Sequence, residues 1–161
     1  MTKITDKELK TIGKLTNLTH LNLGPSRIQD LNELNHLRKL VEVDLGGIAI
    51  SDKELRTWKK SDELERLFLE GTRVTDNGVA ELARFPKLKL LTLQSTKVTT
   101  KVYEAISHLP LLETVYLAVD PGLDAIPHLK KLTKLKELYL GDYQTPEITE
   151  RIQQELSINV Y

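Results

Sequence analysis

Aliphatic residues recur along this chain in one short pattern, L-x-x-L-x-L-x-x-x-x-I. It stands at Leu18, Leu21, Leu23 and Ile28, then at Leu40, Val43, Leu45 and Ile50. It returns at Leu64, Leu67, Leu69, Val74 and at Leu88, Leu91, Leu93, Val98. A fifth copy, Leu112, Val115, Leu117, runs on to Leu123 with one extra residue, and a sixth is Leu135, Leu138, Leu140. The second anchors are spaced 22, 24, 24, 24 and 23 residues apart. In the L-x-L core, side chains alternate between two faces, so each copy predicts one short strand with its leucines inward. Parallel strands joined in sequence need a crossover of about a dozen residues, and the remainder of each copy supplies it.

The crossovers carry their own period. After the third copy, Val79, Leu82 and Phe85 recur every three residues, as the inner face of a short helix requires. The same slots hold Leu9, Ile12 and Leu15, then Leu55 and Trp58, then Tyr103, Ile106 and Leu109. Two crossovers are shorter by two residues, with Leu31, Leu34, Leu37 and Ile126, Leu129, Leu132, which suits 3₁₀ or single-turn segments. The turn Asp120-Pro-Gly122 breaks the pattern and predicts a kink or bulge.

Six registered copies over essentially the whole chain resemble the leucine-rich-repeat family. The segments Gly71-Thr-Arg-Val-Thr-Asp76 and Ser95-Thr-Lys-Val-Thr-Thr100 are similar to the G-T-x-V-T-D repeats of its bacterial members. The asparagine frequent after the strand in that family is replaced by Ser26, Ile48, Thr72, Thr96, Asp120 and Tyr143. Serine and threonine hydroxyls could still bond the turn backbone; Ile48 cannot. The resemblance implies an α/β leucine-rich-repeat solenoid, a curved parallel sheet on the concave side and short helices on the convex side. One domain over residues 1–161 is expected, with an N-terminal capping helix in 1–17, six repeats in 18–145, and a capping helix and last strand in 146–161. Thr5 or Asp6 is the expected N-cap of the first helix, and Pro146 a start for the last. Val160 lies 22 residues after Leu138, one repeat on, so the chain reads as ending where the fold ends.

With the leucines inward, the flanking residues line the concave sheet. Its central column reads Asn22, Asp44, Phe68, Thr92, Tyr116, Tyr139. Aromatic residues are only 5% of the chain, so three in one exposed column suggest anchors for a partner, with Leu90 beside them. The competing reading is that Tyr116 and Tyr139, on adjacent strands, simply pack on each other. Charge on this face leans acidic, with Glu42, Asp44, Glu70 and Glu137 against Arg66. The expected contact residues are Phe68, Tyr116, Tyr139, Leu90, Arg66, Asp44, Glu70, Thr92 and Glu137, with the rings as apolar anchors and Arg66 as a polar clamp. A protein or peptide ligand with a basic or mixed apolar–basic surface is the complement.

Composition narrows the alternatives. With 23 basic and 23 acidic residues there is no positive excess to neutralise phosphates, which argues against nucleic acid as a partner. There is no cysteine, so disulfides and thiolate metal sites are excluded. No signal-like or membrane-spanning apolar run occurs, and the expectation is a soluble, cytoplasmic monomer with no membrane partner. No H-E-x-x-H, G-x-S-x-G or phosphate-cradling glycine loop is present. Of four histidines only His20 falls on the concave face, where it could approach Glu42 or Asp44. The expected function is therefore a non-catalytic protein-interaction module without cofactor or metal. Two rivals remain: a self-assembling repeat protein pairing through strand edges at 20–24 or 158–161, and an accessory domain of an enzyme.

Overall fold

The computed structural model describes residues 4–59 and 61–161. Seven strands form one all-parallel sheet in sequence order. They are β1 (His20–Asn22), β2 (Glu42–Asp44), β3 (Arg66–Phe68), β4 (Leu90–Thr92), β5 (Thr114–Tyr116), β6 (Glu137–Tyr139) and β7 (Asn159–Val160). The register places Leu21, Val43, Leu67, Leu91, Val115, Leu138 and Val160 side by side, so the second anchors of the repeat form one buried row. Each of the strands β1 to β6 is buried at its middle residue and partly or fully exposed at its first, which is the period-2 outcome of the L-x-L pattern.

The crossovers return along the opposite side as short helices: α1 (Asp6–Ile12), α2 (Asp52–Thr57), α3 (Asp76–Ala80), α4 (Val102–Ile106), α5 (Ile126–Leu129) and α6 (Pro146–Leu156). The crossover carrying Leu31 and Leu34 is a 3₁₀ helix over Asn32–His36, and a 3₁₀ turn over Leu123–Ala125 precedes α5. Their inward residues close one continuous apolar core with the strand leucines; Trp58, Phe85 and Tyr103 are its largest members.

The G-T-x-V-T-D segments are polar staples between repeats. Thr75 caps α3 by accepting from the Asn77 N–H. Its own N–H and hydroxyl donate to the Asp52 carboxylate one repeat earlier, at 2.8 and 2.6 Å. Thr99 repeats the arrangement on Asp76, at 2.9 and 2.7 Å. Each aspartate thus satisfies a backbone N–H of the next repeat just ahead of its helix. Gly71 opens its segment at φ +68°, in the left-handed region glycine tolerates, and Ser95 takes the same conformation in the next repeat. The Thr72 and Thr96 hydroxyls donate to the carbonyls of Leu69 and Leu93, at 2.7 and 2.6 Å, replacing the turn asparagine. Ser26 does not; its hydroxyl is buried without a partner among the described residues. Ile48 joins the core instead.

Two expected core positions are on the surface. Leu15 is 56% exposed because α1 ends at Ile12, and Leu18 packs against the core in its place. Leu123 is 63% exposed. In that repeat Pro121 is buried within the turn, Gly122 turns at φ +51°, and the extra residue pushes Leu123 outward at the start of the 3₁₀ turn. The Tyr103 hydroxyl secures the irregular backbone by donating to the Val119 carbonyl at 2.8 Å.

Candidate ligand-binding face

The sheet positions one column of outward residues, and the ladder fixes their carbonyls from Asp44 onward. Asp44, Phe68, Thr92, Tyr116 and Tyr139 each accept a hydrogen bond from the leucine N–H of the preceding repeat, at 2.7–3.1 Å. Tyr161 accepts in the same way from Leu140, at 2.7 Å. The column therefore continues past Tyr139 to Tyr161. Tyr116 and Tyr139 stack with ring centroids 4.1 Å apart and planes 5° apart, and Tyr139 and Tyr161 stack at 4.6 Å and 18°. Tyr116 and Tyr139 do pack on each other, as the competing reading had it, and the stack is three rings long. Tyr161 was legible from spacing alone: it lies 22 residues after Tyr139, as Val160 does after Leu138.

The stack alters the chemistry of its middle member. Desolvation by its neighbours, followed by interaction with the Tyr116 hydroxyl and nearby negative charge, pushes the Tyr139 phenol up to about 12. Burial, with Asp120 nearby, pushes the Tyr103 phenol up as well. A folded-state acid pKa above the unfolded value of about 10 contributes stability below that value and loses it as pH rises through the folded pKa. Phenolate absorbance of the folded protein should accordingly lag the titration of the same chain in denaturant, and Tyr139→Phe should remove amplitude from the late part. Superimposable curves in the two solvents would contradict this.

The polar residues of the face fall into two groups. Arg66 donates through Nε to Glu42 at 2.6 Å and through Nη2 to His20 Nε2 at 3.3 Å. A guanidinium only donates, so His20 Nε2 accepts and the ring proton sits on Nδ1, facing the Thr19 hydroxyl at 2.9 Å. Arg66 is thus held inside a network spanning three strands. His20 meets Arg66 rather than a pair of carboxylates. Among the described residues no group of three histidines or carboxylates could hold a metal.

Asp44, Glu70 and Glu137 form the second group, and none has an ion-pair partner among the described residues. Asp44 accepts from Asn22 Nδ2 at 2.7 Å and from the Gly46 N–H at 2.8 Å. Glu70 accepts from the Thr92 hydroxyl. Glu137 accepts from the Thr114 hydroxyl at 3.2 Å. Thr92 is itself only 7% exposed, and its hydroxyl oxygen also accepts from the Leu69 N–H at 3.2 Å, so it forms the floor of the face. Phe68, Glu70, Leu90, Gln94, Ser95 and Tyr116 surround it in an open depression. The structure therefore brings Phe68, Leu90, Glu70 and Tyr116 together, with Tyr139 next to them in the stack, and leaves Arg66 and Glu137 to either side.

No known family model matches this chain, and no curated protein matches its sequence. Solved structures do. A leucine-rich-repeat protein of Leptospira interrogans aligns over 94% of the chain with a TM-score of 0.61 and 24% identity. Internalin C2 of Listeria monocytogenes aligns over 99% with a TM-score of 0.65 and 20% identity. The chain spans 45% of the length of the first and 77% of the second. With the parallel sheet, the short convex helices and the registered leucine rows, the fold is that of the leucine-rich-repeat proteins. Among the described residues no helix is long and apolar enough to cross a membrane.

Proposed function

We propose that this chain is a non-catalytic protein-binding module whose concave sheet receives a protein or peptide with a mixed apolar and basic surface. The observation that carries the reading is the coincidence, on one face, of aligned aromatic rings with carboxylates that have no ion-pair partner among the described residues. Aromatic residues dominate interface energetics, and each buries about 150–250 Å² when covered. The stack holds Tyr116 and Tyr139 in place before any partner arrives, which reduces the ordering cost of association. Self-packing and binding are therefore compatible roles for the same rings. Asp44, Glu70 and Glu137 supply charge for a basic complement. The cysteine-free composition suits a reducing compartment, and the cytoplasm is where we place the encounter.

The test is a pull-down from native lysate with wild type and a Phe68→Ala, Tyr116→Ala, Tyr139→Ala variant whose fold is verified by circular dichroism. A protein retained by wild type and lost by the variant is the expected result. Equal retention by both moves the binding site off the concave face. A molecular mass that rises with concentration and tracks an unpaired strand edge would favour self-assembly instead.

A further inference from the structure

The central column is aromatic on both sides of one small residue. Phe68, Thr92 and Tyr116 are Cα partners on three consecutive strands, so the flanking residues stand two strand spacings apart, about 9.6 Å. Farther along the same column each step carries a ring, with stacking distances of 4.1 and 4.6 Å. Thr92 is the one step between aromatic residues that carries none. It forms the floor of a slot with Phe68 and Tyr116 as walls. By strand spacing, a flat group over Thr92 would lie about 4.8 Å from the strand on each side, those of Phe68 and Tyr116. That is within the roughly 6 Å at which a cation is held by an aromatic face.

Charge decides which flat group fits. The Glu70 carboxylate stands at the slot, oriented by the Thr92 hydroxyl. A Cβ placed on Gly46 would lie 2.7 Å from Glu70 Oε1 and 3.1 Å from Asp44 Oδ1, so two carboxylates without an ion-pair partner among the described residues approach one point at Gly46, next to Glu70. Arg66, the only lysine or arginine on the described strands, is bound to Glu42. A guanidinium is planar, cationic and forked, and so stacks on rings while donating to a carboxylate. An ammonium lacks the flat face, and a neutral ring would leave Glu70 unpaired. We propose that the Phe68–Thr92–Tyr116 slot receives one arginine side chain of a protein partner, stacked between the two rings with its N–H edge on Glu70. The assignment rests on the concave-face reading above and adds the residue recognised.

The test uses small probes and does not require the natural partner. Isotope-labelled protein is titrated with acetyl-Gly-Arg-Gly-amide and with matched peptides carrying citrulline, lysine or phenylalanine, and amide shifts are followed by NMR. The arginine peptide should give saturable shifts at Phe68, Glu70, Thr92 and Tyr116, with a Kd on the order of 1–10 mM. Citrulline keeps the plane and loses the charge, and should bind about tenfold more weakly. Glu70→Gln should reproduce that loss with the arginine peptide, and Thr92→Phe, which fills the slot, should abolish the shifts; the spectra report whether each variant is folded. Equal binding of citrulline, tighter binding of lysine or phenylalanine, shifts that survive Thr92→Phe, or no shift at these four amides would overturn the assignment. A lysate partner lost by the triple-alanine variant yet retained by Glu70→Gln would preserve the concave-face reading while removing the arginine slot.

Discussion

Trp58→Ala is expected to destabilise the chain by about 3–5 kcal/mol, read from urea denaturation followed by circular dichroism. Trp58 closes the crossover after α2 and is fully buried. Its ring lies 4.8 Å from that of Phe85 in the next repeat, tilted by 45°, so it joins two repeats as well as filling one. Arg84 covers the outer side, with its guanidinium 5.4 Å from the Phe85 centroid and a 2.7 Å bond to the Leu55 carbonyl. Truncation to alanine would open a cavity that this layer cannot close without breaking that bond. Trp58→Phe should be much milder, at less than about 2 kcal/mol. The indole Nε1 is buried without a hydrogen-bond partner among the described residues, and removing an unsatisfied donor offsets part of the lost packing. A Trp58→Phe variant as unstable as Trp58→Ala would show that the N–H is satisfied after all.

The repeat was legible because two strict periods coincide in it. A one-residue slip would turn every L-x-L leucine to solvent, so strands, register and buried row followed directly from spacing. Errors fell where the repeat is interrupted. Leu15 and Leu123 satisfy the apolar pattern, but one follows the short end helix and the other follows a proline turn, and an aliphatic side chain does not report whether a neighbour exists to cover it. Thr92 occupies an outward-facing position and is nonetheless buried, because its column neighbours are large. Arg66 is opposite Glu42 in the predicted register, so its pairing was deducible; what register could not supply was the reach of its second nitrogen to His20, two strands away. The acidic lean was visible as composition. Only the ion pairs separate Glu42, which is neutralised, from Asp44, Glu70 and Glu137.

Leu91→Ala should produce a loss of about 2–5 kcal/mol, and a larger one than the identical change at Leu21. Both leucines are second anchors in the same buried row, and both substitutions delete the same atoms. Their surroundings differ. Leu91 sits in the central strand, fully buried between Leu67 and Val115, whereas Leu21 lies in the edge strand, 8% exposed, with Val43 on one side only. In a solenoid each repeat contacts only its neighbours, so stability is a sum over interfaces. Leu91→Ala weakens two of them and Leu21→Ala weakens one. The central lesion also uncouples the two halves of the array. Amide exchange in Leu91→Ala should therefore quicken on both sides of β4, and the aromatic column, which crosses that strand at Thr92, should lose alignment between Phe68 and Tyr116. In Leu21→Ala, faster exchange should be confined to β1, α1 and the adjoining turn. Equal destabilisation by the two substitutions, with the same exchange pattern, would mean that the chain unfolds as one indivisible unit, and the link from a single interface to the shape of the aromatic column would fail.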